Sequence, residues 1–315
     1  MKVLVTGGAG FIGSHLALRL LKEGYELVLV DNFHPYYSSA RKRYQLEQVQ
    51  KQGDVALYEC DILDKEALQV IVRKEKPEAI VHLAGLPGVR PSLKMPEAYI
   101  DINIKGTSNV LACAGKEGVQ HVIFGSSSSV YGERAGVPLK EEMADGKVLS
   151  PYAASKFGAE SLCHAFQYMY GFQLNILRFF TVYGPWGRPD MAVAGFVRKL
   201  LHSEGITIYG KGTGRDYTYI DDITKGISLV LDSDDSDIYN LGSHAPVAMA
   251  DFLKELKRHF PNMKVNWEGN RMGDVTSTWA DITKAQTKLG YKPSVTFQEG
   301  LERTILWAKQ HAHLI

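Results

Sequence analysis

The stretch VLVTGGAGFIG, residues 3–13, decides the fold of this chain. A short β-branched run stands immediately before Gly7, Gly10 and Gly13, in the spacing G-x-x-G-x-x-G, and the amphipathic pattern of a helix begins at once. Glycines at this spacing allow a sharp turn between strand and helix, and they leave the free N–H groups of the helix N-terminus open to an anion. The stretch therefore predicts a strand–turn–helix unit with an anion site at the turn.

Strands and helices alternate in the same way through the first half of the chain. Strands are predicted at Lys2–Thr6, Leu27–Val30, Val55–Tyr58, Ala79–His82, His121–Phe124 and Gln173–Leu177. Amphipathic helices are predicted at Phe11–Glu23, Asp64–Lys74, Pro96–Gly115 and Pro151–Tyr170. This alternation predicts an α/β fold with a Rossmann-type, doubly wound parallel sheet and helices on both faces.

The rhythm breaks after residue 178. The segment FFTVYGPWGRPDM, residues 179–191, carries two prolines and two glycines, which predicts an irregular loop. Mostly helical sequence with short strands follows it. We expect a smaller, α-rich substrate lobe that is interleaved with the first lobe. The predicted division is 1–178 with roughly 216–242 for the dinucleotide-binding domain, and 179–215 with 243–315 for the substrate lobe.

Composition and charge exclude several classes of protein. The chain has 36 Lys and Arg against 35 Asp and Glu, a net charge of +1, which gives no support to nucleic-acid binding. No window approaches the roughly 20 apolar residues that span a bilayer, and the N-terminal apolar run is too short for a signal peptide. The three widely spaced cysteines, Cys60, Cys113 and Cys163, predict neither a disulfide framework nor a metal site. We expect a cytoplasmic protein with no membrane or nucleic-acid partner.

The acidic residue at the end of the second predicted strand indicates the cofactor. Asp31 follows the glycines by about 20 residues, where a carboxylate accepts the ribose hydroxyls of a dinucleotide and repels a 2′-phosphate, so NAD is favoured over NADP. The nearby RKR, Arg41–Arg43, is interpreted as the solvated face of a helix rather than a phosphate grip. The residues expected to line the NAD site are Gly7, Gly10, Phe11, Ile12, Gly13, Asp31, Asn32, Asp61, Ile62, Leu83, Ala84, Tyr152 and Lys156.

A tyrosine and a lysine in PYAASKFGAE, residues 151–160, form a candidate catalytic pair. Tyr152 and Lys156 are four residues apart at the start of a helix and so lie on one face. A free tyrosine titrates near ~10 and is a poor base at neutral pH. An ammonium one turn away, together with a positively charged nicotinamide, favours the phenolate. The pair therefore indicates proton abstraction by tyrosine beside a nicotinamide cofactor.

Five segments carry a resemblance to a known family. TGGAGFIGSH, SSSSVYG, PYAASK, LRFFTVYGP and RDYTYIDD, which together span nearly the whole sequence, resemble the extended short-chain dehydrogenase/reductase family, in the group that acts on nucleotide sugars. The resemblance implies a tightly held NAD, Tyr152 as base, Lys156 as its electrostatic partner and Ser127 as the hydroxyl that bonds the reacting sugar oxygen. It also implies a homodimer formed through a four-helix bundle.

The four serines in FGSSSSVYG, residues 124–132, indicate which reaction follows. In similar 4,6-dehydratases the positions of Ser128 and Ser129 hold an Asp and a Glu, and in similar uronate decarboxylases the position of Ser129 holds a Glu. A hydroxyl cannot accept a proton at neutral pH without a base of its own. We therefore expect oxidation and reduction at the sugar C4 through a transient 4-keto intermediate, which makes the protein an epimerase, an isomerase of carbohydrate metabolism.

The loop after the sixth strand indicates the substrate. TVYGPWGRPDMA, residues 181–192, and GLPGVRPS, residues 85–92, are most similar to UDP-glucuronate 4-epimerases. The resemblance implies that Thr181 and Ser128, with Arg90 or Arg188 nearby, hold a carboxylate. The alternatives are a loop salt bridge for Arg188 and a surface charge for Arg90. Arg215 and Arg271 match arginines that bind the UDP pyrophosphate in the family, and Thr278 matches a position that governs access for N-acetyl groups. The residues expected to bind substrate are therefore Arg90, Ser128, Thr181, Arg188, Arg215, Arg271 and Thr278.

Three functions stay open at this point. The first is epimerisation of UDP-glucuronate to UDP-galacturonate. The second is 4-epimerisation of UDP-glucose or UDP-N-acetylglucosamine. The third belongs to a different class, a non-catalytic regulator that senses NAD. Such regulators typically lack the tyrosine or the lysine of the catalytic pair, and this chain keeps both.

Overall fold

The computed structural model describes residues 1–134, 136–210 and 212–314. Its strands are β1 (Lys2–Thr6), β2 (Glu26–Asp31), β3 (Val55–Glu59), β4 (Ala79–His82), β5 (His121–Ser127), β6 (Gln173–Phe179), β7 (Thr181–Tyr183), β8 (Ile206–Tyr209), β9 (Gly214–Arg215), β10 (Tyr217–Tyr219), β11 (Asp237–Leu241), β12 (Val247–Ala248) and β13 (Val265–Glu268). Its α-helices are α1 (Phe11–Lys22), α2 (Ser39–Gln50), α3 (Lys65–Glu75), α4 (Val89–Lys94), α5 (Pro96–Tyr99), α6 (Thr107–Lys116), α7 (Pro151–Tyr170), α8 (Ala192–Leu201), α9 (Ile220–Leu231), α10 (Met249–His259), α11 (Thr283–Leu289) and α12 (Phe297–Gln310).

A parallel sheet of seven strands forms the centre of the described part of the chain. The strand order is β11-β6-β5-β4-β1-β2-β3, and every pair is parallel. Alternate residues of β1 enter the two cores on opposite faces: Val3 and Val5 pack with α1 and α9, whereas Leu4 packs with α3, α6 and α7. The predicted doubly wound α/β fold is confirmed. The strand order reverses between β1 and β4, and a crevice at the carboxyl ends of these strands is where such sheets bind ligands.

One predicted helix is broken into three pieces. The segment Pro96–Gly115, predicted as a single helix, forms α5, a π-helical segment Ile100–Gly106, and α6. The π-helical turns carry Asn103, whose amide is buried and bonds both the N–H and the carbonyl oxygen of Leu86. A π-bulge of this kind is frequent at functional sites. The prediction missed it because the cause is a tertiary contact with the loop after β4.

A buried carboxylate organises the second half of the chain. Asp216, from the segment RDYTYIDD, is 0% exposed, and its oxygens accept the backbone N–H groups of Ser243, His244 and Ala280. Asp216 therefore joins three separate chain segments beside the sheet.

The segment between residues 179 and 191, predicted as an irregular loop, is more regular than expected, because β7 forms there and pairs with β10.

None of the helices in the described ranges combines the length and the apolar character that crossing a membrane requires. The same ranges contain no cluster of three or more His, Cys, Asp or Glu side chains suited to a metal ion.

Candidate active site

A cavity opens at the carboxyl ends of β1, β2, β4 and β5. All of the residues predicted to bind the cofactor line it together: Gly7, Gly10, Phe11, Ile12, Gly13, Asp31, Asn32, Asp61, Ile62, Leu83, Ala84, Tyr152 and Lys156. These residues come from five separate segments of the chain. Their convergence places the glycine turn at one side of the cavity and the Tyr152–Lys156 pair at the other.

The glycine turn lets a ligand come close to the protein backbone. Gly7 has a φ of +71°, the left-handed region that favours glycine, and its carbonyl oxygen accepts the N–H of Gly10 at 3.0 Å. A Cβ on Gly13 would collide with the Gly7 carbonyl oxygen. The turn therefore leaves the N-terminus of α1 uncovered, which suits a pyrophosphate.

The ribose end of the cavity is built around Asp31. Its Oδ2 accepts the Ala9 N–H at 3.0 Å and its Oδ1 accepts the Phe33 N–H at 2.8 Å. A carboxylate has about four acceptor positions, so two stay available for ribose hydroxyls. His34 Nδ1 and the Tyr37 hydroxyl are buried without a hydrogen-bond partner in the described part of the chain, and both side chains line the cavity. These groups fit NAD, whose polar atoms would supply the missing partners.

The interpretation of Arg41–Arg43 as a solvated helix face is wrong for two of the three residues. Arg41 and Lys42 are buried, and only Arg43 is exposed. Arg41 donates to the Gly187 carbonyl oxygen at 2.7 Å, and Lys42 lines the cavity with its Nζ 3.9 Å from Asp31 Oδ1. This burial is not visible in the sequence, because the partners of Arg41 and Lys42 lie on other parts of the chain.

Gly13→Ala is expected to weaken NAD binding by at least about 100-fold. The added Cβ pushes the turn away from the position that a pyrophosphate needs, and a well-placed set of charge-assisted hydrogen bonds is worth about 3 kcal/mol. Isothermal titration of NAD into the purified protein measures the change. Gly205→Ala, whose Cβ would meet only ordinary contacts, is the matched control. Equal affinities in the two variants would contradict the assignment.

Tyr152 and Lys156, the predicted catalytic pair, lie in the first turns of α7. Ser150 caps this helix by accepting the Ala153 N–H, and Tyr152 and Lys156 then face the cavity on successive turns. Burial raises the pKa of Tyr152 above its ordinary value, while a hydrogen bond with Ser127 and the charge of Arg188 oppose that rise. The tyrosine is therefore a base only when positive charge lies beside it.

Lys156 is the cation one helical turn from Tyr152 on α7, and it lines the same cavity. Its Nζ donates to the Gly125 carbonyl oxygen at 2.8 Å, which fixes the ammonium below the end of β5. Burial lowers the pKa of Lys156 to about 8, against the opposing charge of Glu160 one turn further along α7. The lysine is thus cationic at neutral pH and close to its titration point.

The four serines have different roles in the structure. Ser126 donates to Glu160 at 2.5 Å, and this anchors the end of β5 to α7. Ser127 lies within hydrogen-bond reach of Tyr152, and its oxygen accepts both the N–H and the hydroxyl of Ser129. Ser128 follows as the first residue of a single helical turn and is half-buried. Only Ser127 therefore meets the catalytic tyrosine directly.

A buried ion pair underlies this arrangement, and sequence reasoning missed it. Glu160 accepts two hydrogen bonds from Arg178, at 3.0 and 2.7 Å, and Arg178 also donates to the Tyr131 hydroxyl at 3.1 Å. The one available signal was that Glu160 continues the i, i+4 face of Tyr152 and Lys156. The pair locks α7, β5 and β6 together beneath the catalytic residues.

A second cavity adjoins the first and is lined by much of the predicted substrate set. Arg90, Thr181, Arg215 and Arg271 all line it, with Arg90 exposed at its edge. Arg215 donates to the backbone carbonyl oxygens of residues 275 and 276, and the Arg271 guanidinium is stacked on the Tyr209 ring. Two guanidinium groups at one end of the cavity suit a diphosphate.

Thr278 does not join this set. It is buried, its hydroxyl accepts the Asp216 N–H at 3.1 Å, and it lines neither of these cavities. The expectation that its size governs access by direct contact is not met by this placement. The reason is that the residue belongs to the hydrogen-bonded framework around Asp216.

Arg188 lies where the two cavities meet. It lines the first cavity with Tyr152, whereas Asp190 lines the second with Thr181. Arg188 donates to Asp190 through Nε and Nη2, both at 3.0 Å, so the loop salt bridge considered from the sequence is present. Asp190 is the acidic side chain that sequence reasoning did not anticipate.

Comparisons with known proteins agree with this geometry. Residues 3–242 match the NAD dependent epimerase/dehydratase family. A UDP-glucuronate 4-epimerase from Thermodesulfobacterium geofontis is 39% identical over 99% of this chain and 97% of its own length. The crystal structure of UDP-glucuronic acid 4-epimerase from Bacillus cereus, in complex with UDP-glucuronic acid and NAD, superposes with a TM-score of 0.93 at 35% identity, covering 98% of this chain and 99% of the other. UDP-glucose 4-epimerase from Thermotoga maritima, solved with UDP-glucose, gives a TM-score of 0.91 at 32% identity, covering 99% of this chain and 100% of that chain.

Proposed function

Because the chain belongs to the NAD dependent epimerase/dehydratase family, we propose that it is an NAD-dependent UDP-sugar 4-epimerase that converts UDP-glucuronate to UDP-galacturonate. The observation that carries this proposal is that Tyr152, within hydrogen-bond reach of Ser127, lines a cavity that fits NAD together with Lys156, while a neighbouring cavity holds two arginines suited to a diphosphate. The resemblance of the loop at residues 181–192 to uronate epimerases supports the choice of sugar.

The residues of this chain divide the chemistry among them. Tyr152 takes the proton of the sugar 4-hydroxyl, Ser127 holds the same oxygen, and the Lys156 ammonium stabilises the phenolate. NAD held in the first cavity would supply the acceptor and then the donor of the C4 hydride, and Tyr152 gives its proton back to the 4-oxygen when the sugar is reduced on its other face. Arg215 and Arg271 hold the diphosphate while the 4-keto sugar turns between the two half-reactions.

The acidic group near the site does not redirect the reaction. Asp190 is an acidic side chain that lines the substrate cavity, and it is paired with Arg188. Burial alone would raise the pKa of Asp190, but the adjacent Arg188 guanidinium outweighs it and holds the pKa below its ordinary value. Positions 128 and 129, where similar 4,6-dehydratases hold an Asp and a Glu, are serines in this chain, so epimerisation at C4 is the chemistry that this site supports best.

The nearest alternative is 4-epimerisation of a neutral UDP-hexose, which the similarity to UDP-glucose 4-epimerase of Thermotoga maritima favours. Incubation of the purified protein with UDP-glucuronate, UDP-glucose and UDP-N-acetylglucosamine, followed by NMR of the products, separates the alternatives. We expect kcat/KM to be highest for UDP-glucuronate. Faster turnover of a neutral sugar would overturn the choice of substrate, and turnover of none would indicate the non-catalytic regulator.

Activity is expected to fall above about pH 8. The Lys156 ammonium has a pKa lowered to about 8 by burial, so it is charged below that pH and loses its proton as the pH rises through it. The phenolate then loses the neighbouring charge that stabilises it. Rates between about pH 6 and 10 test this, with Lys156→Arg as the comparison because a guanidinium stays charged over the whole range. The same falling limb in both proteins would contradict the assignment to Lys156.

Thr181→Ala is expected to increase release of UDP-4-keto-pentose about fivefold. A 4-keto uronate is a β-keto acid, and it loses CO₂ when the C5–C6 bond aligns with the carbonyl π system. We infer that Thr181 and Ser128 hold the carboxylate out of that alignment, and one hydrogen bond of about 1 kcal/mol corresponds to about fivefold in rate. Mass spectrometry of the products measures the release, with Thr276→Ala in the same cavity as control. No increase over wild type would exclude this role for Thr181.

We further propose a homodimer through a four-helix bundle and a cytoplasmic location. Ala154, Ser161, Ala165 and Tyr168 are exposed along α7, and this supports pairing of that helix with a second copy. Sedimentation equilibrium of wild type and Ala165→Arg tests the dimer, since a charge at that position is expected to give monomers.

The cytoplasmic location is supported by the three cysteines, which are unpaired, as suits a reducing compartment.

A further inference from the structure

Arg188 and Asp190 form an ion pair at the place where the substrate and cofactor cavities meet. The two side chains are two residues apart in one loop, and both of their hydrogen bonds are 3.0 Å long. The Arg188 side chain is 20% exposed and the Asp190 side chain is 33% exposed. A guanidinium this enclosed is costly to leave without a counter-ion, so some carboxylate must face it.

Few hydrogen bonds hold the Asp190 carboxylate in place beside Arg188. Apart from the guanidinium, the side-chain contact to its carboxylate is the Tyr36 hydroxyl, which donates to Oδ2 at the long distance of 3.3 Å. Asp190 is also the more exposed partner and lines the substrate cavity. To turn to solvent, this carboxylate gives up the two hydrogen bonds from Arg188 and the long one from Tyr36. This contrasts with Asp216, whose carboxylate accepts five hydrogen bonds in the described part of the chain.

We propose that Asp190 is a resident counter-ion of Arg188, and that the carboxylate of the uronate displaces it and takes over the guanidinium. The inference rests on the proposed function, because it requires a uronic acid in the substrate cavity. The exchange keeps Arg188 paired at every stage. It also sets selectivity: a uronate can replace Asp190, whereas a neutral hexose must bind with the internal pair still closed.

The internal pair lowers the affinity for uronates, because only the open fraction of the protein can receive the substrate carboxylate. If Asp190 closes the pair about nine-tenths of the time, its removal raises the apparent affinity for a uronate about tenfold. A neutral hexose gains nothing from an unpaired guanidinium. Asp190→Asn should therefore raise the selectivity for uronate over hexose, although it deletes an acidic group and adds none.

The test is isothermal titration of the NAD-loaded protein with UDP-glucuronate and with UDP-glucose. For Asp190→Asn we expect Kd for UDP-glucuronate to fall about tenfold and Kd for UDP-glucose to stay within about twofold. The double variant Arg188→Gln/Asp190→Asn should lose the gain. Asp145→Asn, which removes an exposed carboxylate paired with Arg134 at 2.6 Å, is the matched control and should change neither affinity.

Each outcome bears on the proposal. Weaker binding of UDP-glucuronate by Asp190→Asn would show that Asp190 positions Arg188 rather than competing for it, and an equal gain for both sugars would remove the link to the carboxylate. Either result overturns the counter-ion role and leaves the proposed function standing. Failure of the wild-type protein to bind UDP-glucuronate overturns the proposed function together with this inference. Thermal unfolding of each variant, with and without NAD, verifies that the fold is intact.

Discussion

Tyr152→Phe is expected to lower kcat by about 10³-fold or more while the affinities for NAD and UDP-glucuronate stay within a few-fold of wild type. The substitution removes the hydroxyl that meets Ser127 beside the cofactor cavity, and general base catalysis contributes about 10² to 10⁴ in rate. The ring itself stays in place, because it packs edge-on against Tyr99 with ring centroids 6.1 Å apart. The variant should therefore bind both ligands normally and still turn over the substrate very slowly.

The measurement is product formation by NMR under saturating UDP-glucuronate, with affinities from calorimetry. Tyr168→Phe is the matched control: it deletes a tyrosine hydroxyl from the same helix, at a position that is 94% exposed. We expect no change in that variant. A Tyr152→Phe protein that keeps a tenth of wild-type activity would mean that another group takes the proton, and the proposed mechanism would have to be abandoned.

Asp216→Ala is expected to lower the free energy of unfolding by at least about 3 kcal/mol. The substitution leaves the buried N–H groups of Ser243, His244 and Ala280 without a hydrogen-bond acceptor, and each unsatisfied buried donor costs about 1 to 3 kcal/mol. The effect should reach the substrate cavity as well, because the Asp216 carbonyl oxygen accepts the Thr181 N–H at 3.0 Å. Urea unfolding followed by circular dichroism measures the loss.

The exposed Asp234 provides the comparison for that experiment. Asp234→Ala is expected to stay within about 0.5 kcal/mol of wild type, as surface substitutions usually do. A loss of less than 1 kcal/mol for Asp216→Ala would show that the second half of the chain does not depend on this carboxylate. Partial unfolding confined to the second half, with the sheet intact, would still support the role given to Asp216.

The cofactor cavity could be predicted residue by residue, but its charged lining could not. The residues expected from the sequence converge on one cavity, because their positions follow from the order of strands and from the rule that ligands bind at carboxyl ends. Lys42 was assigned to solvent, and it lies 3.9 Å from Asp31 instead. A basic residue on a helix gives no sign of its partner until the neighbouring elements are placed.

The substrate side shows the same division. The identities of Thr181, Arg188, Arg215 and Arg271 indicated a UDP-sugar, and all of them line one of the two adjoining cavities. What the sequence left undecided was the partner of Arg188, for which a substrate carboxylate and a loop salt bridge were both open. The structure contains the salt bridge, and the substrate carboxylate becomes a competitor for it.

The sequence by itself determined the features whose parts lie within one element: the glycine turn, and the tyrosine and lysine one helical turn apart. Local spacing fixes such geometry, because a strand or a helix places its own residues at known intervals. Only the tertiary structure decided which charges are paired, from Lys42 with Asp31 to Glu160 with Arg178. Electrostatic partners depend on distance and burial between separate elements, and these quantities exist only once the chain has folded.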